Sequence, residues 1–177
     1  ESVIKILSVG RISPVKNYEI LVKAAKVLKD RNMEFSVTMI GEPALNKDKE
    51  YEQKLKLLIN ESGLQKNFNF LGKINHQDLA SYYKSHDLFI HLSKTGSLDK
   101  TLLEAMACGM SVLSSSDSAK AFLPAELIFS ENSPFSLAEK IQYIMGENRD
   151  FKLREYVLEH HNLNLLIDKI ASIIKHK

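Results

Sequence analysis

A single cysteine, Cys108, stands among the 177 residues. One thiol excludes an internal disulfide, so the fold rests on a packed core, and the scarcity fits a reducing compartment. An excess of charge of either sign is also lacking, since 24 Lys and Arg against 22 Asp and Glu leave a formal net charge of +2. That balance, with no basic stripe interleaved with aromatics, argues against a nucleic-acid partner. No apolar run reaches the length of a membrane span, and none is patterned as a signal peptide. The expected location is cytoplasmic, with peripheral association at the cytoplasmic face of a membrane open to a longer protein. The His160-His161 pair lacks further ligands at metal spacing and reads as a surface or capping pair. No metal is expected.

What is present is a composition of 44% hydrophobic and 26% charged residues, enough for one domain with a substantial core. No internal repeat, low-complexity tract or interior linker divides the chain. It lacks an initiator Met, and Ser2-Val3-Ile4-Lys5-Ile6 enters a strand almost at once. The expectation is therefore one domain over residues 1–177, a fragment of something longer.

Apolar runs at Val3–Val9, Phe35–Ile40, Asn67–Leu71, Asp87–Leu92 and Met110–Ser114 predict strands, with a last short one at Leu127–Phe129. Between them, helical periodicity predicts helices over 18–31 and 51–62, and a third that begins at Asn75-His76 with Leu79, Ala80, Tyr82 and Tyr83 on its apolar side. Ala44–Glu50 and Ser114–Ser118 read as polar loops, Gly63 as a C-cap and Asn75 as an N-cap. Helices are also predicted at Ser136–Met145, Phe151–Glu159 and Leu163–Lys175. Near-continuous apolar strands alternating with helices predict an α/β fold: a Rossmann-like parallel sheet with helices on both faces.

In such a sheet, ligands sit beyond the carboxyl ends of the strands where strand order reverses, here between the first and fourth strands. The loops that follow them are Gly10–Asn17 and Ser93–Lys100. The first carries Arg11 and Lys16, and the second leads into a helix whose first-turn N–H groups have no intrahelical partner. Singly, Arg11 or Lys16 reads as a solvated charge, Gly96 as a turn glycine, and Glu104 as a carboxylate favoured at a positive helix end. Converging on one crevice, they suit a diphosphate, with cations to neutralise it and oriented amides to fix its oxygens. His91, inside the fourth apolar run, reads as a buried or a crevice-edge histidine, with a donor-side role left open. Cys108, among Ala105, Met106 and Ala107, reads as a small core residue.

Two segments extend this reading. Val9-Gly10-Arg11-Ile12-Ser13-Pro14-Val15-Lys16-Asn17-Tyr18 and Leu102-Leu103-Glu104-Ala105-Met106-Ala107-Cys108-Gly109 resemble the donor-binding half of family 4 glycosyltransferases. Leu71-Gly72-Lys73-Ile74 and Ser85-His86-Asp87-Leu88-Phe89-Ile90 fall in that family's order and spacing. The resemblance covers nearly the whole chain. It implies one half of a GT-B fold and retaining transfer of a sugar from a nucleotide-diphosphate sugar to a glycan or lipid-linked acceptor, as in surface polysaccharide synthesis. Arg11 and Lys16 then match the pair that binds the donor diphosphate and stabilises the leaving group. Glu104 matches the glutamate that hydrogen-bonds the ribose, and Lys73 and Ile74 match the loop that meets the base. Phosphate contacts fall to Gly10 and to the loop and helix start at Gly96, Ser97, Leu98, Asp99, Lys100 and Thr101.

This chain departs from the family at Gly96, where a second glutamate commonly contacts the donor sugar. Asp99 and Lys100 are the candidates to replace that contact, and Asp99 is equally placed to cap the helix. The implied partners are a nucleotide sugar and an amino-terminal acceptor domain of the same protein. Without that domain the fragment is expected to bind but not to turn over. Two alternatives stay open: a non-catalytic nucleotide-binding or interaction module, which Gly96 favours, and an epimerase or phosphorylase of the same overall fold.

Overall fold

A computed structural model of the chain describes residues 3–93, 99–146 and 151–161. Five strands form one parallel sheet in the order β3-β2-β1-β4-β5: β1 (Ile4–Val9), β2 (Phe35–Ile40), β3 (Phe68–Gly72), β4 (Leu88–His91) and β5 (Ser111–Ser114). β1 is central. It pairs with β2 from Ile4↔Phe35 to Val9↔Ile40, and with β4 at Ile6↔Leu88 and Leu7↔Phe89. Both faces of the sheet are covered, which is why all four β4 residues are buried and the apolar runs do not alternate with polar residues.

The crossovers are α1 (Tyr18–Asp30), α2 (Asn46–Glu61), α3 (His76–Ser85) and α4 (Lys100–Ala107), followed by α5 (Asp117–Lys120), α6 (Pro134–Gly146) and α7 (Leu153–His160). α1 packs with α2 and α6, while α4 packs with α3 and α7, giving one helical set to each face. Tyr18, Leu21, Ala24, Ala25 and Leu28 form the buried stripe of α1. On the other face the Tyr83 ring meets Phe89 edge-on, with centroids 5.8 Å apart. The strand order reverses between β1 and β4, so the loops following those two strands open into one crevice.

Several elements differ from the sequence reading, each for a local reason. α2 begins at Asn46, inside the segment expected as a loop. The buried Asp48 carboxylate accepts the backbone N–H of Leu45 at 3.2 Å and of Ala44 at 3.4 Å, closing a first turn that has no apolar pattern to announce it. Asp48→Ala is expected to cost about 1 kcal/mol, as loss of a capping carboxylate does. A lowered urea midpoint checks it, and an unchanged one contradicts it. Within the expected 114–118 loop, Ser116 caps α5 by accepting the Ala119 N–H. The expected Leu127–Phe129 strand is a 3-10 turn over Ala125–Leu127, leaving one parallel bridge, Ser114↔Ile128. Asn75 does occupy the N-cap position of α3, but its side chain makes no capping bond. Gly63 closes α2 as expected, at φ +66°. The helix expected over 163–175 lies outside the described residues.

Candidate functional site

The exits of β1, β2 and β3 are stitched side by side. Gly10 N–H donates to Ile40 O at 2.9 Å, Ile12 N–H to Glu42 O at 3.3 Å, and Gly41 N–H to Gly72 O at 2.8 Å. Beyond Gly10 the chain stays tethered because Ile12 is fully buried. It then winds through a 3-10 turn, Pro14–Lys16, with proline at the start, where its fixed φ and missing N–H cost nothing. Asn17, at φ +50°, turns the chain into α1, a conformation asparagine tolerates better than most residues. The loop therefore presents its side chains from a braced backbone. The Tyr18 hydroxyl lies 3.4 Å from Gly10 O, and burial pushes that phenol far above its ordinary pKa, so it stays a neutral donor.

Between this loop and the start of α4 lies a cleft of about 300 Å³ lined by Gly10, Arg11, Ser13, Lys16, Asp99 and Thr101, among others. Arg11 is exposed at its lip. Lys16 is not free: its ammonium reaches across the cleft and pairs with Asp99 Oδ2. The same oxygen lies 2.8 Å from His91 Nε2. His91 is 2% exposed, and its other ring nitrogen lies 2.8 Å from Ser114 Oγ. The hydrogen bond from His91, reinforced by Lys16, holds the Asp99 carboxyl well below the usual carboxylate range against the opposing effect of burial. Asp99 occupies the N-cap position of α4, as the sequence allowed, yet its side chain accepts no helix N–H. The first-turn amides of α4 thus lack their usual side-chain cap.

Farther along α4, Glu104 is gripped on both oxygens. Tyr83 donates its hydroxyl to Oε2 at 3.0 Å, and His76 Nε2 lies 2.8 Å from Oε1. Burial and the neighbouring Glu104 charge raise the Tyr83 phenol far above its ordinary value, which keeps it a donor. A second, smaller cavity of about 190 Å³ adjoins this carboxylate between α3 and α4, lined by His76, Leu79, Tyr83 and Cys108.

The structure thus brings Gly10, Arg11, Lys16, Asp99 and Thr101 to one cleft and puts Glu104 on the same helix, about 7.5 Å farther along its axis. Lys100 is exposed in the first turn of α4. Lys73 is exposed just after β3, and Ile74 packs against the core. Gly96, Ser97 and Leu98 lie outside the described residues. Sequence reasoning missed the side chains that hold the others in place. His91 was the visible signal, a polar residue in an apolar run. Tyr83 was legible as an apolar helix position, but its hydroxyl is what matters here.

Cys108 is half-buried against the core and unpaired, in keeping with a packing role. His160 is exposed and stacks on Tyr156 at 4.3 Å, with Nδ1 3.0 Å from Tyr156 O, a surface role as read. Among the described residues no group of three or more His, Cys, Asp or Glu is disposed to hold a metal ion, and no helix is long and apolar enough to cross a membrane.

The family model for glycosyl transferases of group 1 matches residues 1–171. Alpha-monoglucosyldiacylglycerol synthase of Streptococcus pneumoniae is 30% identical over 176 residues, covering 87% of this chain and 38% of that protein. D-inositol 3-phosphate glycosyltransferase of an Arthrobacter species is 34% identical over 110 residues, covering 61% of this chain and 25% of that protein. Each match thus takes in well under half of the relative's length. Among solved structures, Anabaena HepE in complex with UDP shares the fold with a TM-score of 0.89 at 18% identity, over 99% of this chain and 49% of that one. The same protein has been solved with UDP-glucose, where the TM-score is 0.88 at 19% identity, over 99% of this chain and 50% of that one.

Proposed function

Because the chain belongs to the group 1 glycosyl transferases, we propose that it is the donor-binding half of an enzyme that transfers a sugar, with retention, from a nucleotide-diphosphate sugar. The observation that carries the reading is the cleft at the sheet's switch point, where Arg11 and Lys16 meet the amino-terminal turn of α4. Two cations and first-turn amides that Asp99 does not cap match a diphosphate. Glu104, about one and a half turns along the same helix, is placed to accept from the ribose hydroxyls of the same nucleotide. That HepE was solved with UDP and with UDP-glucose supports a nucleotide sugar as ligand.

As the bond between the sugar and the diphosphate breaks, negative charge builds on the departing phosphates. Arg11 and Lys16 favour that charge more than they favour the intact donor, and this difference lowers the barrier. The two side chains carry the neutralisation, and the reading assigns no metal. The acceptor, a glycan or lipid-linked molecule, is assigned to an amino-terminal domain of the same protein, so the 177 residues are expected to bind donor without transferring it. The same proposal assigns the transfer to surface polysaccharide synthesis, in the cytoplasm or at the cytoplasmic face of a membrane.

The ribose assignment has a direct test. Glu104→Ala is expected to weaken binding of a ribonucleoside diphosphate by about tenfold or more, since even one hydrogen bond to a charged group is worth about 1.5 kcal/mol. The 2′,3′-dideoxy analogue should lose almost nothing, so the two ligands become equivalent by calorimetry. A Glu104→Ala protein that still prefers the ribonucleotide contradicts the assignment.

A further inference from the structure

Lys16, a cation lining the cleft, is already paired with an anion in the structure. We infer that Asp99 is a built-in surrogate for the donor's phosphate at Lys16, held in place by His91, so that a nucleoside diphosphate binds by exchanging with an internal carboxylate. The inference rests on the reading of the cleft given above and deepens it.

Three features of the geometry support the exchange. First, Lys16 and Asp99 meet across the cleft, their side chains 16% and 29% exposed, so neither is deeply enough buried to be locked away from a ligand. Second, Asp99 stands where an aspartate ordinarily caps a helix, yet it makes no capping bond. Its carboxylate is turned to the cation instead, and the α4 amides lack that cap. An incoming phosphate thus meets amides that Asp99 does not cap and a cation whose partner can be displaced. Third, the displaced carboxylate retains a donor. A carboxylate can only accept, so His91 Nε2 carries the proton in the 2.8 Å contact with Asp99.

His91 is itself held. It is buried, its Nδ1 lies against Ser114 Oγ, and the Ser116 N–H donates to that same oxygen at 3.2 Å. When phosphate takes Lys16, Asp99 keeps its bond to this fixed imidazole and is not left as an unpaired, half-buried charge. Lys16 likewise keeps an anion in both states. The exchange sets affinity below what two free cations would give. It also supplies a way out for the nucleoside diphosphate product, since Asp99 can retake Lys16 as the product leaves, at a step that often limits turnover.

The experiment is a calorimetric cycle with UDP, GDP, ADP and inorganic pyrophosphate as probes, and the corresponding nucleosides as controls. Asp99→Asn removes the competing charge and is expected to tighten whichever diphosphate binds by about tenfold, with the nucleoside unchanged. Asp99→Ser, which keeps a short polar residue at the N-cap position, should do the same. In a Lys16→Ala background the gain should shrink to threefold or less, because there is no cation to release. His91→Leu is expected to weaken diphosphate binding, and adding Asp99→Asn should restore it, a rescue that a purely structural role for His91 would not give. Looser or unchanged binding in both Asp99 variants, an undiminished gain without Lys16, or failure of the rescue would overturn the inference while leaving the diphosphate site intact. Binding of none of the four probes by the unaltered protein would instead remove the site reading and the inference together.

Discussion

Lys16→Ala is expected to weaken binding of a nucleoside diphosphate by roughly 10- to 100-fold while changing nucleoside affinity by less than about twofold. Hydrogen bonds to charged groups are worth about 1.5–3 kcal/mol each, and each 1.4 kcal/mol is a factor of ten. The variant loses a cation that reaches across the cleft, while Asp99 keeps its partner His91. Arg11→Ala should act in the same direction but more weakly, because Arg11 is exposed and its field is screened. Titrations with matched nucleoside and nucleoside diphosphate check this. Equal loss for both ligands would mean that Lys16 supports the fold rather than the phosphates.

The second large effect is expected at Gly41, which contacts no ligand. Its φ is +138°, and a Cβ built there would lie 1.9 Å from Gly10 O and 2.7 Å from Gly10 C. Those neighbours are backbone and cannot swing aside. Gly41→Ala therefore combines an unfavourable backbone conformation, about 1–3 kcal/mol, with overpacking, about 1–3 kcal/mol. A total of at least about 2 kcal/mol should appear in urea denaturation. The strain can be relieved only by pushing the Gly10–Arg11 backbone away, so diphosphate binding should fall even where the variant remains folded. A stability change below about 1 kcal/mol, with unaltered binding, would contradict this account of the loop. Gly41 is thus the position at which β2 admits the Gly10–Arg11 backbone that follows β1.

The sheet was legible because β2, β4 and β5 are buried almost throughout. Phe35–Ile40 runs without a charged residue and is a strand from end to end as read, and β1 and β4 differ from their apolar runs only at the ends. Convergence of the two loops then followed from topology, which depends on element order more than on any one side chain. What stayed hidden was carried by polar side chains acting at a distance or at helix starts. The first turn of α2 is too polar to show a helical face, and its signal was Asp48 alone. Asp99 looked like a helix cap because local sequence says nothing of Lys16, 83 positions away, to which its carboxylate turns. Tyr83 and His76 were similarly invisible as partners of Glu104, since only the packing of α3 on α4 brings them there. Contacts between elements are what periodicity cannot supply.

The central claim is that the crevice between β1 and β4 holds a nucleoside diphosphate. Calorimetric titration of the folded protein with UDP, GDP and ADP, each beside its nucleoside, tests it most directly. The account predicts saturable binding of at least one nucleoside diphosphate, at least tenfold tighter than its nucleoside, with the difference removed by Lys16→Ala. Binding of none of the three by a folded protein, or equal affinity for nucleoside and nucleoside diphosphate, would contradict it.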